Sequence, residues 1–184
     1  MKKRKPKKPA KHARRATPRK SAAKKSAPDA SVALLRHTVA TLAYRAGKAV
    51  RSAPPEYAAF RAAPGVRTPV EILAHMGDLF DWALSIARGD EKWNPSAPRQ
   101  WNEEVARFFS ALADFDSYLA SGPLHVTAER LFQGPVADAL QHTGQLTILR
   151  RAGGAPIRGE NYSRADIVSG RVGSEQTPPR REFD

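Results

Sequence analysis

Val105, Phe108, Leu112, Phe115 and Leu119 recur at alternating steps of three and four. That spacing lays five large apolar side chains along one seam of a helix running from Asn102 to about Ala120. Such a seam is stable only against other helices, which commits the chain to a bundle. Three further segments carry the same period. Leu34, Leu35, Val39, Leu42 and Ala46 form a stripe that ends before Pro54-Pro55. In the second segment, Thr68 is placed as an N-cap, Pro69 in the first turn and Glu71 as the partner in a T-x-x-E capping box. Ile72, Met76, Leu79, Ala83 and Ile86 follow on one face, and Gly89 stops the helix. A short helical turn over 127–133 precedes a fourth helix, opened by Gly134-Pro135 and closed by Gly153-Gly154. Residues 153–184 show no helical period and no persuasive strand pair. Ile157, Tyr162, Ile167 and Val172 are spaced to anchor a segment wrapped on the bundle. The expected fold is all-α, a four-helix bundle of the up-down type over residues 31–184 with an irregular end.

Charge separates this domain from what precedes it. Residues 1–30 hold 13 of the 31 Lys and Arg and one of the 18 acids, so they carry +12 of the net +13 and leave the rest near neutral. The segment has no aromatic residue and almost no large aliphatic one. It cannot bury enough surface to offset the entropy of ordering, and a disordered basic tail is expected. As a functional element it would be an electrostatic arm making weak, sequence-independent contacts with nucleic acid through residues 1–28. As an inert one it would be a solubilising extension or an over-long start. No apolar run approaches the roughly 18 residues of a membrane span. The chain has no cysteine, which excludes disulfides, thiolate metal sites and a cysteine nucleophile, and fits a reducing, cytoplasmic setting.

The fourth helix carries an anomaly. In ADALQHTGQLTILRR (137–151), Asp138, His142 and Gln145 fall within an arc of about 60°, beside Ala139, Leu146 and Leu149. An acid, an imidazole and an amide thus stand where the helix turns apolar. The second helix repeats the oddity: His75 lies at the margin of its apolar arc, near Leu79, Trp82 and Ile86, with Glu71 one turn before it. If the two helices face each other, His75, Asp138 and His142 converge. Two imidazoles and a carboxylate suit a divalent ion, and the i, i+4 spacing lets one helix supply two ligands. The same residues would also serve as a hydrogen-bonded core-margin cluster with no ion.

The text VEILAHMGDLFDWAL at 70–84, followed by GPVADALQHTGQLTILRRAGGAPIRGENY at 134–162, resembles the DinB/YfiT-like superfamily over roughly residues 31–175. The resemblance implies a bundle holding a divalent metal, usually zinc, nickel or iron. Its ligands are typically one histidine on the second helix and two, four residues apart, on the last. His75 and His142 match two of these positions, and Asp138 stands at the third, where a carboxylate is either a legitimate ligand or the mark of an abandoned site. The resemblance further implies a metal-dependent transferase or hydrolase acting on a small molecule, sometimes with a small thiol as co-substrate, and frequent homodimers. Gln145, Glu160 and Tyr162 are candidates to orient a ligand, and Arg150, Arg151 and Arg158 to hold an anion, although helix-end and surface roles suit them better. His12, His37 and His125 lack a partner at ligand spacing. A non-catalytic binding bundle and a nucleic-acid-associated protein remain the competing functions.

Overall fold

The computed structural model describes Met1 and residues 29–183. The expected tail and its nucleic-acid contact therefore lie almost wholly outside the described residues. Four long helices form the domain: α1 (Ala30–Val50), α2 (Pro69–Ala87), α3 (Trp101–Ser121) and, after the short α4 (Ala128–Leu131), α5 (Ala137–Ala152). Local chemistry sets their starts. The Asp29 carboxylate accepts from the Ser31 N–H at 2.9 Å to open α1. At α2 the capping box closes in both directions: Thr68 Oγ1 accepts from the Glu71 N–H, and the Glu71 carboxylate accepts from the Thr68 N–H at 2.7 Å. Gly89, at φ 76°, takes the left-handed turn that ends it.

Around the bundle, α1 packs against α3 and α5, and α2 packs against the same two helices. Consecutive α1 and α2 therefore sit across a diagonal. The connection over residues 51–68, with a single 3-10 turn at Pro55–Ala59, is long enough to make that crossing. This order makes α2 and α5 neighbours, which is what any site shared by His75 and His142 requires. At the centre, the Phe80 ring lies 6.1 Å from Phe108 and 5.8 Å from Phe115, all three fully buried. Removing each ring from water is worth on the order of 1.5–3 kcal/mol.

Three expectations need correction, and a fourth, at Gly134-Pro135, holds. Leu34 is 67% exposed, because it sits at the outer edge of α1 over a groove bordered by Ala128 and Phe132. Val105 is only half-buried, while its neighbour Glu104 is fully buried. Gly134-Pro135 does open the fourth helix: within Phe132–Val136 the chain leaves helical geometry at Gly134 (φ −89°, ψ −105°) and resumes it at Pro135, leading directly into α5. Proline suits that first position, where its missing N–H has no partner to lose. Finally, a strand pair does form. β1 (Gly159–Glu160) pairs antiparallel with β2 (Glu182–Phe183), tying down the wrapped end. Two residues a side are too few to show an alternating pattern. Of the expected anchors in that segment, Val172 is buried and Ile157, Tyr162 and Ile167 are half-buried.

Glu104 belongs to an ionic knot between α2 and α3. Arg107 Nε donates to Glu104 at 2.8 Å and its Nη1 donates to Asp78 at 2.9 Å. Asp78 also accepts from the Ser96 N–H (3.0 Å) and hydroxyl (2.8 Å), and Glu104 accepts from the Arg99 N–H (2.8 Å). Every buried carboxylate oxygen here is engaged. The knot fixes the α2–α3 loop, and the loop carries Trp93 back over α2.

Candidate metal centre

His75 comes from the middle of α2 and Asp138 and His142 from the first two turns of α5. The capped start of α2 and the kink before α5 aim the two helix faces at each other. His75 Nε2 lies 3.4 Å from Asp138 Oδ2, and His142 Nε2 lies 3.4 Å from Asp138 Oδ1. The imidazole centroids are 4.9 Å apart with the rings perpendicular. One ligand atom from each residue falls within 4.8 Å of the others. Around an ion with bonds of ~2.1 Å, tetrahedral ligands stand roughly 3.4 Å apart. Each imidazole nitrogen already stands at that separation from one of the two Asp138 oxygens. The donors are imidazole nitrogens and a carboxylate, the set that zinc, nickel and iron(II) accept.

The surroundings fit the same use. His142 Nδ1 lies 2.7 Å from Gln145 Oε1. An amide oxygen only accepts, so Nδ1 donates and Nε2 keeps its lone pair turned to the triad, as supporting residues do for metal-bound histidines. Gln145, three residues on from His142, is thus a positioning residue. Burial and then the neighbouring His142 hold the His75 imidazole below the usual histidine range, with Arg67 adding to the effect and the Asp138 hydrogen bond opposing it. His75 therefore remains neutral and competent to coordinate near pH 7. The Asp138 side chain is 40% exposed and that of His142 only 9%, so the cluster opens to solvent on its carboxylate side. There a water or small molecule can approach.

Two indoles complete the wall. Trp93 stands edge-on to His75 with centroids 5.6 Å apart and meets Trp82 in the same manner, also at 5.6 Å. Trp82 lies one turn after Leu79 on the His75 face, where the sequence places it. Trp93 is a residue that sequence reasoning missed, because a loop residue has no helical period to place it. Arg67, just before the α2 cap, was missed for want of any pattern.

The remaining candidates lie elsewhere. Glu71 serves the α2 cap and pairs with Arg61 at 3.4 Å. Arg150 is buried at the end of α5, donating to the Ala155 carbonyl at 2.8 Å and lying over Tyr57. Glu160 is buried between the Tyr44 hydroxyl (2.7 Å) and Lys48 Nζ (2.9 Å). Tyr162, Arg151 and Arg158 sit on the opposite side of α5 from the triad. His37 is exposed on α1, His125 packs near Gly89, and neither joins a metal-competent group among the described residues. His12 is outside them. Among the described residues no helix is long and apolar enough to cross a membrane. No protein-family model, no curated protein and no solved structure matches this chain.

Proposed function

We propose that the chain is a divalent-metal-binding helical bundle of the DinB/YfiT-like type, with His75, Asp138 and His142 as protein ligands. The observation that carries this reading is the meeting of three unlike donors from two helices at coordination spacing, with Gln145 fixing the tautomer of one of them. The one carboxylate meets two imidazoles at 3.4 Å, long for hydrogen bonds and matched to the separation of ligands around one ion, and its side is open to water.

The activity proposed is transfer or hydrolysis on a small molecule, with a small thiol or water as nucleophile. A bound divalent ion supplies the Lewis acidity that lowers the pKa of such a nucleophile toward neutrality. The protein's own contribution is orientation. Gln145 holds the His142 ring, the indoles of Trp82 and Trp93 shield His75 from bulk water, and the exposed edge of Asp138 leaves an approach for substrate. Zinc, nickel and iron(II) are the ions proposed.

Elemental analysis of untagged protein from metal-replete medium tests the reading. About one ion per chain is expected for wild type and little for His75→Ala or His142→Ala. Because Trp93 abuts His75, titration with nickel should also quench tryptophan fluorescence in wild type alone. Wild type that carries no divalent ion, with a melting temperature indifferent to added zinc, nickel or iron(II), overturns it.

A further inference from the structure

On the face of α5 turned away from the triad, a cleft of about 610 Å³ opens between α1, α5 and the wrapped C-terminal segment. Leu140, Gly144, Thr147 and Arg151 supply its α5 wall, and Thr147 is about 180° around the helix from Asp138. Its size is that of a small-molecule site.

The charge balance of the cleft is uneven. Among the described residues, Arg45, Arg151 and Arg158 border it, against one carboxylate, that of Glu160. That carboxylate is already held by Lys48 and by Tyr44, whose phenol is pushed up by burial and by Glu160 itself. Arg158 reaches Glu182 at 3.7 Å. Arg45 and Arg151 make no side-chain hydrogen bond or ion pair with any described residue. Arg45 lies with its guanidinium carbon 4.2 Å from the Tyr162 ring centroid, and its Nε, closed off from solvent, has no hydrogen-bond partner. A buried donor left unpaired is costly, and buried donors are normally satisfied. No described residue supplies the acceptor missing from this wall.

The other walls narrow its chemistry. Ile148, 64% exposed, and Phe183, 54% exposed, flank the guanidinium groups together with Ile157. A free phosphate or sulfate would leave these surfaces wet. We propose that this cleft binds a small organic acid, an anionic headgroup on an apolar body, with Arg45 and Arg151 as the anion-binding pair. Gly144 makes room for the body: a Cβ added there meets nothing within 4 Å. The proposal does not depend on the metal reading.

Calorimetric titration of the full chain with octanoate tests it. One octanoate per chain is expected, and Arg45→Gln should weaken binding on the order of tenfold or more, the effect of removing a charge-assisted contact. Gly144→Leu should abolish binding while leaving the melting temperature unchanged or higher, because leucine fills open space and suits a helix better than glycine. Octylamine and inorganic phosphate should not compete, and His142→Ala should bind octanoate as wild type does. Octanoate binding that survives Gly144→Leu, that octylamine matches, or that disappears in His142→Ala overturns the proposal.

Discussion

Two polar clusters share α2, and they are built in opposite ways. Asp78 and His75 are three residues apart on the helix, one turned toward α3 and the other toward α5. The Asp78–Arg107–Glu104 knot is closed: a fork of guanidinium donors meets two carboxylates, backbone N–H groups take the remaining oxygens, and Glu104 is fully buried. The His75–Asp138–His142 cluster is open: its separations are long for hydrogen bonds, right for ligands, and exposed on one side. Burial of charge alone therefore does not distinguish the cluster proposed to bind metal from a structural one. The distinction lies in whether the partners satisfy one another.

Breaking the closed cluster should have the largest effect. Arg107→Met leaves Asp78 and Glu104 buried without their cation, and a loss of about 3–5 kcal/mol in urea unfolding is expected. A loss below ~1 kcal/mol would mean that the carboxylates escape to water and that the knot is not closed. The open cluster should respond to metal instead. With free ion at about 100 times Kd, wild type should gain roughly 2.7 kcal/mol over the chelated protein, and His142→Ala should gain almost nothing. Equal gains in both would place the ion elsewhere. Gln145→Ala should weaken metal affinity about 10–100-fold without changing stoichiometry, which competition against a chelating dye would read. An unchanged affinity would reduce Gln145 to a neighbour.

The smallest effect concerns protons. The His75 imidazole is held below its ordinary value in the folded chain, so between the two values the unfolded chain binds more protons. Metal-free protein should therefore lose stability as pH falls from 7 through about 6.5, the unfolded value, and continue to lose it down to the folded value. His75→Gln should flatten that slope. An identical slope in the variant would assign the pH dependence to other groups.

Much of this was legible in the sequence, for particular reasons. The seam of α3, the capping box at Thr68 and the row on α5 are periodic or short-range features, and local spacing reports those directly. Neighbour order was not legible. Nothing in residues 51–68 states that α1 and α2 lie across a diagonal, yet the triad depends on that placement. The ionic knot escaped because Glu104 sits in a first turn, where acids are ordinary, and Asp78, which shares Arg107 with it, lies on another helix. Trp93 escaped because loop residues have no period. The α5 cleft combines Arg45 and Arg151 from two helices, and only the three-dimensional neighbours reveal that the Arg45 Nε is buried without a hydrogen-bond partner among the described residues.

The kink at Gly134 has a consequence for how the face bearing Asp138 and His142 can change. The helix restarts there, and each residue rotates a helix by about 100°. Losing one residue there while α4 stays in place would swing the row of Asp138, His142 and Gln145 away from α2 without altering any of the three. The phase of the proposed metal site is thus set by a stretch that contributes no ligand, and an insertion or deletion five residues upstream would separate its donors as thoroughly as replacing a histidine.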